Sequence, residues 1–134
     1  MFRPRSIALI GATDRSIWSV SAFDNLKRAG FEGRVAPVNP KGGVIHGVEA
    51  ATSIAAIGEP IDAALLMVPE AALGEALQDL KAAGVGGAVI LSAGFAETGD
   101  EGVRRQAALT AAAREAGIRI LGPNCLGFAN FADG

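Results

Sequence analysis

Short, continuous apolar runs that end in glycine, proline or small polar residues alternate along this chain with segments of helical spacing. No other feature limits its fold so strongly. The runs at residues 6–11, 63–68 and 88–91 have the continuous apolar character of strands buried on both faces, as in parallel sheets, and residues 34–38 and 118–121 read as two further strands. Between them, Val20, Phe23 and Leu26 recur at helical spacing, with Ser19 able to cap the segment and Gly30 to stop it. Leu73, Leu77 and Leu80 mark one face of a helix over residues 71–83. Thr98 and Glu101 have the spacing of a capping box, opening an alanine-rich helix that runs to about Ala116 and stops at Gly117. Residues 44–46 allow a very short strand, and residues 53–57 a single helical turn. Strands and helices in alternation, joined by short glycine-rich connections, predict a Rossmann-like α/β fold. Its sheet is doubly wound and mostly parallel, with helices on both faces and right-handed crossovers.

At 134 residues the chain has room for one good core, and with no internal repeat or linker it reads as a single domain over residues 1–134. Half the residues are hydrophobic and 19% are charged, which excludes a disordered or collagen-like chain. A formal net charge of −2 provides no basic field, so nucleic acid is not an expected partner. No run approaches the ~18 apolar residues of a membrane span, and the N-terminus enters a strand pattern without a signal-peptide core. The single Cys125 cannot form an internal disulfide, which suits a reducing compartment, with the cytoplasm as the default.

In a sheet of this kind, ligands bind beyond the carboxyl ends of the strands, near the switch in strand order. The loop Gly11, Ala12, Thr13, Asp14, Arg15 and Ser16 offers backbone N–H groups, two hydroxyls and a guanidinium ahead of a helix, a plausible phosphate cradle. It is not the dinucleotide fingerprint G-x-G-x-x-G, because Thr13 and Ser16 stand where the second and third glycines would fall. The second strand ends in Asn39 rather than the acidic residue that binds an NAD ribose, and Lys41 two residues on suits a phosphorylated ribose or a diphosphate.

Read together, the strings Ile7 to Thr13, Val38-Asn39-Pro40-Lys41, Val68-Pro69, Ser92-Ala93-Gly94-Phe95-Ala96-Glu97-Thr98-Gly99 and Gly122-Pro123-Asn124-Cys125-Leu126-Gly127-Phe128-Ala129-Asn130 cover nearly the whole chain. In this order, at the ends of predicted strands, they resemble the CoA-binding domain of NDP-forming acyl-CoA synthetases, which include acetyl-CoA and succinyl-CoA synthetase alpha-type subunits. The resemblance implies coenzyme A as ligand, with its diphosphate on residues 13–16 and Lys41 near a CoA phosphate. It further implies Val68, Pro69 and the backbone of Ser92, Ala93 and Gly94 along the coenzyme, and Asn124 and Cys125 near the active-site end. One departure is Ile17-Trp18-Ser19-Val20-Ser21, where many relatives carry a glycine-bearing stretch. The family also uses a phosphohistidine-bearing domain and an ATP-grasp domain, and neither fits within this chain. The expectation is therefore a domain of an acyl-CoA ligase that binds CoA but turns nothing over alone. Its end at Gly134 then reads as a domain boundary or as that of a free-standing subunit.

Two other readings compete. An NAD(P)-dependent oxidoreductase domain would want more glycines in the first loop and, for NAD, an acid near Asn39; a regulatory Rossmann module would bind no nucleotide. Four further residues invite roles. Cys125 lacks a paired base and reads as a small buried hydrophobe, and Glu97 is either an acid–base group or a helix-dipole partner. His46, the only histidine, has no His/Cys cluster to make a metal site and receives no catalytic role. Trp18 could stack on adenine, though packing against the sheet edge is its more ordinary use.

Overall fold

The computed structural model describes residues 3–130. Five parallel strands, β1 (Ser6–Ile10), β2 (Arg34–Val38), β5 (Ala63–Leu66), β6 (Gly87–Ile90) and β7 (Arg119–Leu121), form a sheet in the order β2-β1-β5-β6-β7. All four pairings are parallel, with Ile7 opposite Val35 and Ala63, and Ala88 opposite Ala64 and Ile120. The order reverses between β1 and β5, so the switch point of this doubly wound sheet lies beyond their carboxyl ends. Alanine recurs in these strands, at Ala8, Ala36, Ala63, Ala64 and Ala88, all buried in the sheet.

Helix α1 (Ile17–Arg28) covers one face, where Phe23 and Leu26 pack with Leu9 and Ile45. Helices α2 (Leu73–Ala82) and α3 (Asp100–Ala116) cover the other, and Leu73, Leu77, Leu80, Leu109 and Ala113 join Ala8, Leu66 and Ile90 in the larger core. On the α1 side the helix spans only part of the sheet. An open groove remains beside it, floored by Ile7, Leu65 and Val89 and bordered by Phe128. Among the described residues no helix is long and apolar enough to cross a membrane.

Several local expectations change. Ser19 does not cap α1: the helix begins at Ile17, with Ser16 at the N-cap position, and Ser19 lies inside the first turn, fully buried. The earlier start also turns Trp18 outward, leaving it 55% exposed rather than packed against the sheet edge. Thr98 and Glu101 form no capping box. The Thr98 hydroxyl donates to Phe95 O, Glu101 pairs with Arg105, and Gly99 occupies the N-cap position of α3. The helical turn expected at residues 53–57 is a 3-10 turn at Ala55–Ile57, and α2 is preceded by another at Glu70–Ala72. The short strand near residue 44 is half of a hairpin, β3 (Val44–Ile45) with β4 (Val48–Glu49). Its two-residue turn, His46-Gly47, has φ of 53° and 73°, the doubly positive pattern of the hairpin turns that match strand twist.

Candidate functional site

All the sequence-predicted site residues fall on loops at the carboxyl edge of the sheet. Gly11, at φ 82°, is required by a close approach: a Cβ there would stand 2.8 Å from Met67 O and 3.0 Å from a Val68 methyl group. Tight contact between the first loop and the end of β5 therefore selects glycine whether or not a ligand is present. The N–H groups of Gly11 and Ala12 both donate to Val38 O, and the Asn39 side-chain amide donates to Ala12 O at 2.9 Å. Ala12 is fully buried, with its backbone polar groups engaged inside the protein, so it supports the loop from beneath.

Thr13 N–H donates to Ser19 Oγ at 3.0 Å, and the Thr13 hydroxyl accepts Arg15 N–H. The N–H of Asp14 and the first-turn amides of Ile17, Trp18 and Ser19 have no acceptor among the described residues. The open donors thus sit at the start of α1 more than in the loop ahead of it, and no acidic residue occupies the first turn of that helix. At the end of β2, Asn39 Oδ1 accepts Lys41 N–H at 2.9 Å, shaping the turn that carries Lys41. Lys41 and Arg15 are exposed, and neither makes an ion pair among the described residues.

A second group forms around the ends of β5, β6 and β7. Ser92 Oγ donates to Val68 O at 2.5 Å, and Asn124 N–H donates to Ser92 O at 2.9 Å, so three loops are tied side by side. Pro69, Ala93 and Asn124 are exposed, and Asn124 has a positive φ of 52°. Gly94 is committed internally: its N–H donates to Glu97 Oε1 at 2.6 Å, and its carbonyl accepts Arg105 Nε and Nη2 at 3.0 and 2.8 Å. Glu97 therefore closes its own loop, with Phe95 N–H as a second donor. Those amides, Gly94 first, hold its carboxyl below the ordinary carboxylate range. Cys125 is partly buried, its sulfur 3.4 Å from Gly127 N and 3.6 Å from Gly127 O, and among the described residues it hydrogen-bonds to no basic side chain.

Sequence reasoning missed three residues that organise this edge. Arg105 braces the loop after β6 from one turn inside α3, joining Gly94 O, Thr98 Oγ1 and Glu101. His46 and Ser19 meet at 2.7 Å between Nε2 and Oγ, while His46 Nδ1 lies 3.0 Å from Asp14 Oδ1. The His46-Gly47 dipeptide between apolar residues was a legible hairpin signal, but nothing in the sequence pairs residue 46 with residues 14 and 19.

A doubly wound sheet whose carboxyl edge carries open helix amides and, among the described residues, two cations without an ion pair defines a Rossmann-class domain with a ligand edge suited to an anionic nucleotide. Residues 5–130 match the sequence profile of the CoA binding domain, and the chain belongs to that family. It is 41% identical over 130 residues to the alpha subunit of an ADP-forming acetate–CoA ligase II of Pyrococcus furiosus, covering 96% of this chain and 28% of that protein. It is 40% identical over 134 residues to a trans-feruloyl-CoA synthase from an unknown prokaryotic organism, covering 99% of this chain and 19% of the relative. The chain thus spans less than a third of the length of these curated relatives. Among solved structures, a Pyrococcus horikoshii OT3 protein superposes with a TM-score of 0.85 at 42% identity over 94% of this chain and 29% of the other. The apo dinucleotide-forming acetyl-coenzyme A synthetase 1 of Ca. Korarchaeum cryptofilum does so with a TM-score of 0.82 at 31% identity, covering 92% and 27%.

Proposed function

We propose that this domain holds coenzyme A for an NDP-forming acyl-CoA ligase. The CoA diphosphate lies against Thr13, Asp14, Arg15, Ser16 and the opening amides of α1, over a floor made by Gly11 and Ala12. Lys41 meets a CoA phosphate, with Asn39 shaping its turn. Val68, Pro69, Ser92, Ala93 and Gly94 flank the pantetheine arm, which leads the thiol toward Asn124 and Cys125. The observation that carries this reading is the pairing of acceptor-free amides at the α1 N-terminus with two unpaired cations at the same edge, in a chain of the CoA-binding family.

This domain's chemical part is to bind and orient. No side chain here is assigned to acyl transfer or phosphoryl transfer. Those steps belong to a phosphohistidine-bearing domain and an ATP-grasp domain, in the same polypeptide or in a partner, acting in the cytoplasm. Isothermal titration with CoA, with NADH and NADPH as controls, tests the reading. Saturable CoA binding that weakens in Lys41→Ala is the expected result. NADPH binding without CoA binding would overturn it in favour of an oxidoreductase domain.

A further inference from the structure

Asp14, His46 and Ser19 form a chain of contacts next to the open helix amides. His46 N–H donates to Asp14 Oδ1 at 2.8 Å, its Nδ1 lies 3.0 Å from the same oxygen, and its Nε2 lies 2.7 Å from Ser19 Oγ. Ser19 Oγ in turn accepts Thr13 N–H at 3.0 Å. A carboxylate can only accept, so Nδ1 carries a proton, and in the neutral ring Nε2 then accepts the Ser19 O–H. The ring is held there by a stack on Phe23, 5.0 Å between centroids, and its side chain is 4% exposed. The order of groups is that of acyl-transfer triads, but Ser19 is fully buried, so no substrate carbonyl reaches its oxygen.

The constellation has a different use. Asp14 is the one acidic residue among residues 11–23 and lies two positions ahead of the α1 N-cap residue, Ser16. A free aspartate beside a helix start caps it readily, occupying the donors that an incoming phosphate needs and repelling that phosphate. Here the carboxylate is turned instead onto His46, on the β3–β4 hairpin, by two donors. We propose that His46 is a positioning residue for the anion site: it holds the Asp14 carboxylate off the opening amides of α1 and, through Ser19, fixes the backbone at Thr13. This inference rests on the coenzyme reading above.

Two substitutions separate the arms of the imidazole. Asn carries a donor where Nδ1 sits and suits the positive φ of the turn, but stops short of Ser19. Gln reaches toward Ser19 and leaves Asp14 with only its backbone donor. In isothermal titration with CoA, His46→Gln is expected to weaken binding about tenfold, the scale of a charge at a helix terminus, while His46→Asn stays within about threefold of the parent. Adding Asp14→Asn to His46→Gln restores affinity, because the competing charge is gone. Equal losses in both variants, no loss in His46→Gln, or no recovery in the double variant would each overturn the proposal. If thermal melts show His46→Gln to be unfolded, Asp14→Asn alone decides: CoA binding within about threefold of the parent supports the inference, because the carboxylate is already held off the amides, and binding about tenfold tighter defeats it by showing that the charge still competes. Nitrogen-15 spectra of the single imidazole should report the Nδ1–H tautomer in the parent, and an Nε2–H tautomer would refute the contact assignment. A folded parent protein that fails to bind CoA removes the coenzyme reading and this inference together, whereas normal binding with an indifferent His46 removes this inference alone.

Discussion

The Glu97 carboxylate accepts Gly94 and Phe95 N–H at 2.6 and 3.1 Å, so its anionic form is the one that closes the loop after β6. Its folded pKa lies below the ordinary 4.5, chiefly through the Gly94 amide, with further contributions from its own N–H, Phe95 N–H and Arg105. A depressed folded value gives stability that is present above the unfolded pKa and lost as pH falls through the folded one. The stability gap between parent and Glu97→Gln, measured by urea unfolding, should therefore be widest at neutral pH and close as the pH drops below 4.5. Lys41 gives a contrasting test. Its side chain is exposed and makes no ion pair among the described residues, so Lys41→Ala should leave the unfolding free energy from urea titration within about 0.5 kcal/mol of the parent. Its CoA affinity should still fall about tenfold, the size of one charge-assisted phosphate contact. Lys41 and Asn39 were legible because turn residues announce themselves locally. Glu97 was noticed, but its loop-closing contacts to Gly94 and Phe95 were not legible in the sequence. His46 and Ser19 stand 27 residues apart and meet only when the β3–β4 hairpin folds over α1.

At the scale of elements, the join between the loop after β6 and α3 is the tightest point. Gly102 is buried in the first turn of α3, and a Cβ there would overlap Phe95 O and the Thr98 hydroxyl. Helix propensity favours alanine over glycine by ~1 kcal/mol, but forced overlap with backbone outweighs it. Gly102→Ala should destabilise the domain by about 2 kcal/mol or more in urea unfolding, with the loss centred on residues 92–99 in hydrogen exchange. The same crowding explains the missing capping box: with Gly99 at the N-cap position, Thr98 turns back to Phe95 O and Glu101 is left to pair with Arg105. Helix α1 shows the converse case. Its apolar spacing located the helix, but Ser19 served as a false start signal because its hydroxyl is consumed by Thr13 and His46 inside the structure.

For the whole molecule, a ligand that binds only the folded state must raise its stability. At about one hundred times its dissociation constant, CoA should add ~2.7 kcal/mol, which for a domain of this size is a Tm increase of about 5–10 °C in a thermal melt, with NADH giving none. The sequence determined the kinds of element and the face each one buries, because runs of period one and period 3.6 are local consequences of burial. It also marked the loop ends that carry Gly11, Asn39, Lys41 and the Asn124-Cys125 pair, since glycine, proline and short polar residues are imposed by backbone geometry. Tertiary structure decided the rest. The order β2-β1-β5-β6-β7, and with it the position of the switch point, depends on strands pairing at long sequence separation. Which amides remain open and where the Asp14 charge is held depend on side chains brought together from distant loops. Hydrogen bonds between such groups form only after packing has fixed their distances, so no local pattern in the chain records them.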